Sequence, residues 1–282
     1  MALSRNDFEY VRELLRTECA IVLEPGKEYL VESRLCPLAQ RLGLGTLDAL
    51  IAKLRREPVN GVHRQVIDAM TTNETLFFRD LHPFETLKKT IVPELLQRRA
   101  PARTLRIWCG ACSTGQEPYS IALLLRDNFP QLFGWRLQLL ATDLCRDVLE
   151  RARTGRYNQL EMNRGLPASM LVKHFAKVSA DQWQLREEVR SMVEFQEMNL
   201  ARAFPPMPSF DLVFLRNVMI YFDTETKRAI LARIRRVLAP DGYLFLGCAE
   251  TTLNLDDSYE TVTLGKTMCY RQKAATAGAQ TF

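Results

Sequence analysis

A loop between an apolar segment and a helix has the composition of a cofactor site. The apolar residues 104–108 lead into the loop 109–115, and the next helix begins at 116–118. This is where doubly wound folds bind nucleotide-like ligands, and a glycine such as Gly110 lets the backbone approach the ligand closely. The loop lacks the glycine patterns of phosphate-binding loops, and Glu117 would repel a pyrophosphate. It suits a ligand that carries an ammonium and a sulfonium group, as S-adenosylmethionine does.

A second candidate carboxylate, Asp143, closes the next apolar segment at 136–142. In doubly wound folds, an acidic residue roughly 20 to 30 positions past the glycine loop accepts hydrogen bonds from ribose hydroxyls. Because a helical segment follows, Asp143 equally fits the N-cap of that helix. The pattern supports both interpretations about equally, and both remain open.

Polar residues also follow the apolar segment 210–215. Arg216 and Asn217 leave this predicted strand at the carboxyl edge of the sheet, where chemistry takes place in open α/β folds. The alternative is an ordinary loop in which Asp223 caps the next helix, and the capping role of Asp223 is expected in either case.

The segment 71–79 carries another polar cluster. Thr71 and Glu74 have the spacing of a capping box at the start of a helix, and the pattern alone favours that structural role. A capping box does not explain why Arg79 follows two aromatic residues.

Periodicity predicts the elements that position these residues. The first 70 residues have apolar positions at helical spacing, whereas strands and helices alternate after Pro101, which predicts a mostly parallel sheet. A small antiparallel insertion is predicted at about 168–198, with short strands at 183–186 and 192–195. The other predicted strands are 104–108, 136–142, 210–215 and 243–247, with a turn at 241–242, and the other predicted helices are 118–126, 147–153 and 224–238.

Composition restricts the class of protein. The 282 residues are 47% hydrophobic and 25% charged, as in globular proteins with a real core. No apolar run reaches the roughly 18–20 residues of a membrane span, and the N-terminus lacks the layout of a signal peptide. Scattered cysteines favour reduced thiols and a cytoplasmic protein, and a net charge of +5 does not argue for nucleic-acid binding. Because Cys109 and Cys112 have no second Cys or His pair at ligand spacing, we predict no metal.

Three of these segments together resemble one family. The strings at 73–79 (NETLFFR), 115–122 (GQEPYSIA) and 216–223 (RNVMIYFD) are similar to signatures of the CheR family of chemotaxis receptor methyltransferases. They occur in the family's order behind a helical N-terminal part, and the resemblance extends from about residue 5 to residue 271.

The resemblance implies a fold, a division into domains and a set of site residues. The fold is a helical substrate-recognition domain, 1–71, before a Rossmann-like α/β methyltransferase domain, 72–282, with a linker at 72–90 and the small β-subdomain. S-adenosylmethionine is the implied cofactor, and Arg79 and Tyr221 lie beside the transferred methyl group. The implied cofactor contacts are Asn73, Thr75, Arg79, Gly110, Glu117, Asp143, Asn199, Leu200, Arg216 and Asn217.

The implied reaction is methyl transfer to a glutamate carboxylate, which has a pKa of about 4.3 and is already ionised in the cytosol. No general base is required, in agreement with only three histidines, none of them within the motifs. Two rivals stay open: a methyltransferase for RNA or small molecules, and a non-catalytic cofactor-binding sensor. The loop after 210–215 lacks the aromatic-proline platform expected for a base, and Arg79 and Tyr221 are both present, which argues against each rival.

The helical domain is basic where a substrate is expected to bind. Between residues 33 and 66 it has six basic and two acidic residues, and the methylation helices of chemoreceptors are rich in glutamate, so opposite charges attract. A solvated helix face is the alternative for any single residue. The candidate substrate-binding residues are Arg34, Arg41, Arg55 and Arg56.

The loop 176–182 bears on how a receptor is held. Some relatives bind a peptide from the receptor C-terminus with a longer, glycine-containing loop, whereas this loop is short and lacks glycine. We therefore expect no dependence on that tethering peptide. The expected partners are the cytoplasmic methylation helices of chemoreceptors, with no nucleic acid, no membrane insertion and a monomeric enzyme.

Overall fold

The N-terminal part of the computed structural model, which describes residues 3–274, is a four-helix unit. Three of its helices begin at a residue whose side chain accepts a hydrogen bond from the first turn, namely Ser4, Thr46 and Asn60. Their apolar faces form a separate core that includes Phe8 and Leu50. The helices are α1 (Arg5–Cys19), α2 (Glu28–Arg41), α3 (Leu47–Arg56) and α4 (Gly61–Met70).

The connection to the second part is an extended segment. Thr71 ends α4, its hydroxyl donates to the carbonyl of Asp68 at 2.7 Å, and the backbone after it is not helical. The capping box predicted for Thr71 and Glu74 is therefore wrong, because no helix begins there. The chain becomes helical again in α5 (His82–Thr86), a π-helical turn at Leu87–Ile91, and α6 (Val92–Arg99).

Ten strands make up two sheets in the part of the chain that the structure describes. The strands are β1 (Thr104–Gly110), β2 (Arg136–Asp143), β3 (Arg156–Asn158), β4 (Phe175–Lys177), β5 (Gln182–Leu185), β6 (Val193–Glu197), β7 (Phe210–Leu215), β8 (Leu238–Leu246), β9 (Tyr259–Leu264) and β10 (Thr267–Gln272). The main sheet has the order β6-β2-β1-β7-β8-β10-β9, with parallel pairing from β6 to β8 and antiparallel pairing from β8 to β9. The predicted α/β fold class is confirmed.

Helices cover the main sheet and bury its apolar strands. All six residues of β7 are buried, as expected for a central parallel strand. Asp223 accepts from the backbone N–H of Thr226 and caps the last helix, as predicted. The helices of this part are α7 (Gln116–Asn128), α8 (Arg146–Thr154), α9 (Gln159–Asn163), α10 (Ala168–His174), α11 (Glu187–Arg190) and α12 (Thr224–Val237).

The small insertion differs from the prediction in where it begins and in which strands form it. Its antiparallel sheet has the order β3-β5-β4, so it begins at Arg156 rather than near residue 168. The segment predicted as a strand at 192–195 is not part of it, because Val193–Glu197 pairs in parallel with β2 at the edge of the main sheet. The strands at 182–185 and 193–197 are both short and mix apolar with polar residues, so their local sequence does not show which sheet each one joins.

The predicted turn at 241–242 is also wrong, because both residues lie inside β8. The register passes from Phe210 opposite Leu238 to Leu212 opposite Tyr243, so the strand bulges between these pairs. A side chain at Gly242 would place Cβ 2.9 Å from the carbonyl oxygen of Asp211. The Asp-Gly pair therefore lies at a bulge within β8 rather than in a turn.

The helical domain and the α/β domain are joined by hydrogen bonds from side chains. Arg64 of α4 donates to the carbonyl of Leu144 and to the carboxylate of Glu197. Asn199 donates to the carbonyl of Glu18 at 2.8 Å, at the end of α1. None of the helices within residues 3–274 is long and apolar enough to cross a membrane.

This junction contains an acid that is expected to make stability depend on pH. Burial raises the pKa of Asp68 to about 6 from 3.8; Arg64, 3.4 Å away, opposes the shift, while Asp147 and Glu197 add to it. The folded state thus holds the proton more tightly, and the stability from this group is lost as pH rises through about 6. We expect Asp68→Asn to match the parent near pH 4 and to exceed it by up to about 3 kcal/mol at pH 8, measured by urea unfolding.

Asp257→Asn serves as the control for this prediction, because it removes an acidic charge from an exposed position that is not among the charges acting on Asp68. Its effect should vary little between the two pH values. A gain for Asp68→Asn that is equal at pH 4 and pH 8 would show that Asp68 does not titrate in this range.

Candidate active site

A cleft opens at the carboxyl ends of β1, β2 and β7. This edge of a parallel sheet is where open α/β folds bind their ligands. The linker after α4 closes one side of it, and the end of α1 contributes Cys19 and Ile21. The cleft brings together the predicted residues Asn73, Thr75, Arg79, Glu117, Asp143, Asn199, Leu200, Arg216, Asn217 and Tyr221.

Gly110 is the predicted cofactor residue that does not line the cleft. It ends β1, and a Cβ at this position would lie 2.9 Å from Cδ1 of Leu215 and 3.6 Å from Cδ2 of Leu200. The glycine therefore allows β1 to pack closely against β7 and the wall of the cleft. Its direct contact with a cofactor remains a prediction.

The loop after β1 has a strained backbone that Asp143 holds in place. Ala111 and Ser113 have φ values of 55° and 50°, which non-glycine residues rarely adopt. Oδ2 of Asp143 accepts from the N–H of Ser113 at 2.7 Å, and Oδ1 accepts from the N–H of Cys145 at 2.9 Å. The N-cap of α8 is Cys145, which leaves Asp143 facing the loop and the cleft. The N-cap interpretation of Asp143 is therefore wrong.

The pKa of the Asp143 carboxyl is raised by burial, and the backbone N–H groups of Cys145 and Ser113 oppose that shift. Each carboxylate oxygen has two lone pairs, so one remains on each for a ligand hydroxyl. This arrangement suits a ribose with two neighbouring hydroxyls.

Arg216 is the centre of a buried ion network. Its side chain is 1% exposed and donates to Glu117 Oε2 and to Asp80 Oδ2, each at 2.6 Å. The same guanidinium donates to the carbonyl of Arg79 at 3.0 Å. Burial raises the pKa of Glu117, and the charge and hydrogen bond of Arg216 oppose this shift. Arg216 thereby connects the first turn of α7 to the linker.

The linker around Arg79 is held in an unusual conformation. Phe78, Asp80 and Leu81 have positive φ values of 49°, 66° and 43°. The N–H of Phe78 donates to the hydroxyl of Ser120 at 2.9 Å, which fixes the segment to α7. Such strain persists only where the surroundings enforce it, and it is common at functional sites. The guanidinium of Arg79 itself donates only to the carbonyl of Glu74, at 3.3 Å, within the described residues.

Tyr221 also lines the cleft. It ends a 3₁₀ turn, Met219–Tyr221, and its carbonyl accepts from the N–H of Val22 at 2.9 Å. Asn217 has φ 59° and precedes this turn. The helical domain therefore contacts the backbone that carries Tyr221.

Sequence reasoning missed several residues of the site. Cys19, Ile21 and Met70 line the cleft from the helical domain, and Ser113 lines it from the loop. Apolar residues at the ends of helices carry no signal that separates a cofactor wall from a core. Cys109 and Cys112 are both buried, and burial raises the pKa of both thiols well above its usual range.

The four candidate substrate-binding arginines lie outside the cleft and divide into two pairs. Arg34 donates to the carbonyls of Met70 and Thr71, so it holds the start of the linker. Arg55 donates to the carbonyl of Asn6 and to the carboxylate of Asp7, both in α1. The other two, Arg41 and Arg56, are exposed and make no ion pair or hydrogen bond with another described residue.

Both parts of the chain match known family models. Residues 6–71 match the CheR methyltransferase all-alpha domain, and residues 73–268 match the CheR methyltransferase SAM-binding domain. The fold and the acid-lined cleft define an S-adenosylmethionine-dependent methyltransferase. The chain belongs to the CheR family of chemotaxis methyltransferases, and its enzyme class is protein-glutamate methyltransferase. The family, the cofactor and the enzyme class predicted from the motifs are confirmed.

Curated relatives cover nearly the whole chain. It is 42% identical to chemotaxis protein methyltransferase Cher2 of Pseudomonas putida, over 97% of this chain and 100% of that protein. It is 43% identical to chemotaxis protein methyltransferase 1 of Pseudomonas aeruginosa, again over 97% and 100%. A Vibrio parahaemolyticus chemotaxis protein methyltransferase is 36% identical over 96% and 99%.

Proposed function

We propose that this enzyme acts in the cytoplasm as a monomer and methylates glutamate side chains in the methylation helices of bacterial chemoreceptors. The products are a glutamate methyl ester and S-adenosylhomocysteine. The observation that carries the proposal is the composition of the cleft. It has two largely buried acids, Glu117 and Asp143, and two donors, Arg79 and Tyr221, neither of which bonds to an acid within residues 3–274.

The acids fit the cationic and hydroxyl groups of S-adenosylmethionine. Glu117 would face the ammonium of its methionine part, and Asp143 would accept from the ribose hydroxyls. When bound, this cofactor supplies an electrophilic methyl group on a sulfonium sulfur. Arg216 donates to Glu117 and Asp80 through its two terminal nitrogens, so we propose that its main role is to hold the carboxylate of Glu117 in place.

The acceptor needs orientation rather than a base. A glutamate carboxylate is ionised near neutral pH because its pKa is about 4.3, and no histidine or lysine is among the residues that line the cleft in the described structure. Arg79 would bind one carboxylate oxygen by a charge-assisted hydrogen bond. Tyr221 would donate its hydroxyl to the same group, so that an oxygen lies in line with the methyl carbon.

The exposed pair Arg41 and Arg56 is proposed to attract glutamate-rich receptor helices, whereas Arg34 and Arg55 are engaged in hydrogen bonds to Met70 and Asn6. We expect the double variant Arg41→Glu/Arg56→Glu to raise the KM for receptor about 5- to 20-fold at low salt. Attraction between opposite charges steers the encounter, and the variant replaces it with repulsion. The KM for S-adenosylmethionine should not change. The difference should shrink above about 0.3 M salt, where screening is strong.

A matched variant with the same change of charge is Arg136→Glu/Lys266→Glu, since both residues are exposed and lie away from the helical domain. It should leave both KM values unchanged. An equal rise in receptor KM for the two double variants would mean that net charge matters and that the helical domain is not the recognition surface.

The β-subdomain supports independence from a tethering peptide. β4 ends at Lys177 and β5 begins at Gln182, so only four residues connect the strands. We propose that a receptor without its C-terminal residues is methylated at the same rate as the intact receptor. A rate that falls about tenfold or more on truncation would show that a tether is used.

The acceptor is identified with S-adenosylmethionine labelled on its methyl group. The protein is incubated with membranes that contain the host's chemoreceptors, and labelled receptor bands are treated with mild base. Release of volatile methanol supports a glutamate methyl ester. Label that survives base places the acceptor on nitrogen or sulfur, and cofactor binding without any transfer favours the sensor or a different acceptor.

A further inference from the structure

A buried carboxylate lies directly behind the cleft and was not predicted. Glu250 is 8% exposed and follows β8. Its Oε2 accepts from the N–H of Asn217 at 2.8 Å and from the N–H of Gly247 at 2.6 Å. Its Oε1 accepts from the N–H of Met219 at 2.7 Å. One side chain therefore joins the carboxyl ends of two neighbouring strands, β7 and β8.

The hydrogen bonds from Asn217 and Met219 to Glu250 hold the backbone segment that carries Asn217 and Tyr221. Asn217 has a left-handed φ of 59°, a conformation that costs energy in a non-glycine residue unless its surroundings enforce it. Its side chain lines the cleft, and Met219 begins the 3₁₀ turn that ends at Tyr221. The direction of the Asn217 and Tyr221 side chains thus depends on where Glu250 holds this backbone.

Gly247 completes the junction by leaving room for it. A Cβ at Gly247 would lie 2.6 Å from Nδ2 of Asn217 and 2.8 Å from Oε2 of Glu250. Any side chain there would push Asn217 or Glu250 away. The close approach of the three residues is therefore a specific feature of the site rather than general packing.

We infer that Glu250 is a positioning residue for methyl transfer, which acts through the backbone of the loop from Asn217 to Tyr221. Glu250 itself does not line the cleft, so it has no role in direct contact with cofactor or acceptor. This inference rests on the proposed function, because methylation of a receptor is the reaction that is measured. Arg216, which precedes the loop, is held separately by Glu117 and Asp80.

The first test is Glu250→Gln, which keeps the shape of the side chain but has only one acceptor oxygen. At least one of the three N–H groups then faces an amide NH₂ group. We expect kcat for receptor methylation to fall about 10- to 100-fold, because small displacements of reacting groups have effects of this size. The Kd for S-adenosylhomocysteine should change less than about threefold, since Glu117 and Asp143 remain in place.

The matched control is Asp211→Asn. Asp211 is a carboxylate of β7 that is 5% exposed and accepts from the N–H of Arg106 at 2.8 Å and from Nε of Arg99 at 2.6 Å, at the amino end of the strand. Its variant should lower Tm as Glu250→Gln does, and kcat should stay at the parent value below Tm. A purely structural role for Glu250 would give the same result in both variants.

Two further measurements test the inference. One uses a second variant, and the other, hydrogen exchange, does not require the receptor. Gly247→Ala disturbs the junction with the carboxylate intact and should lower kcat in the same way. Hydrogen exchange of residues 216–222 should become at least tenfold faster in Glu250→Gln and not in Asp211→Asn. Unchanged exchange and unchanged kcat in Glu250→Gln overturn the inference. If the parent protein methylates no receptor, the proposed function fails, and hydrogen exchange alone still decides the role of Glu250.

Discussion

Arg216→Met is expected to weaken cofactor binding about thirtyfold and to lower Tm by roughly 10 °C. Arg216 is 1% exposed, and its loss leaves the buried carboxylate of Glu117 without a cation. The pKa of Glu117, already raised by burial, should rise further because Arg216 is the main influence that opposes the shift. A protonated Glu117 binds an ammonium poorly. Calorimetric titration with S-adenosylhomocysteine and a thermal scan measure the two effects.

The loss of cofactor affinity in Arg216→Met should also depend on pH. Because the pKa of Glu117 is higher in the variant and the ionised fraction of a carboxyl grows with pH, the deficit in cofactor affinity should shrink as pH rises and the variant carboxyl ionises. The double variant Glu117→Gln/Arg216→Met should recover part of the lost Tm, since it removes both buried charges together. It should not recover cofactor affinity.

Arg99→Met is the control for Arg216→Met, because Arg99 also pairs with two aspartates, Asp211 and Asp241, but lies at the other end of the sheet. It should lower Tm and leave the Kd of S-adenosylhomocysteine unchanged. If Arg216→Met bound S-adenosylhomocysteine with the affinity of the parent, the network of Arg216 and Glu117 would have no part in the cofactor site.

Arg79→Ala should reduce kcat about 100-fold, which corresponds to about 2.7 kcal/mol of transition-state stabilisation. The guanidinium is half-buried at the cleft and forms no ion pair within the described residues, so it is available to an acceptor carboxylate. Tyr221→Phe removes one neutral hydroxyl and should reduce kcat about tenfold. In both variants, the Kd of S-adenosylhomocysteine should change far less than kcat. Single-turnover rates and calorimetry separate the two quantities.

Arg164→Ala provides the comparison for Arg79→Ala. Arg164 is a half-exposed arginine near the same linker, and it forms an ion pair with Glu74 at 2.9 Å. Its loss should leave kcat within about a factor of two, as for an exposed ion pair. Parallel losses in cofactor affinity and turnover for Arg79→Ala would assign Arg79 to cofactor binding alone.

The local chemistry of the site was accessible from the sequence. Asp143 ends an apolar segment and Glu117 follows the loop after another, and in a parallel sheet the ends of such segments meet at one edge. Arg79 was less evident, because its neighbours have no periodic pattern and its role came from the family resemblance. The structure places all three in one cleft, although their contacts with ligands stay predictions.

The sequence by itself determined the two parts of the chain, the alternation of strands and helices, and the family, because these depend on periodicity and on short motifs. Tertiary structure alone decided the partner of Val193–Glu197, the engagement of Arg34 and Arg55 inside the helical domain, and the place of Glu250 behind Asn217. Each of these depends on contacts between residues far apart in the chain. A charge or a short apolar segment has the same local pattern whether it faces solvent, a sheet edge or a buried N–H group, so its partner is fixed only when the chain has folded.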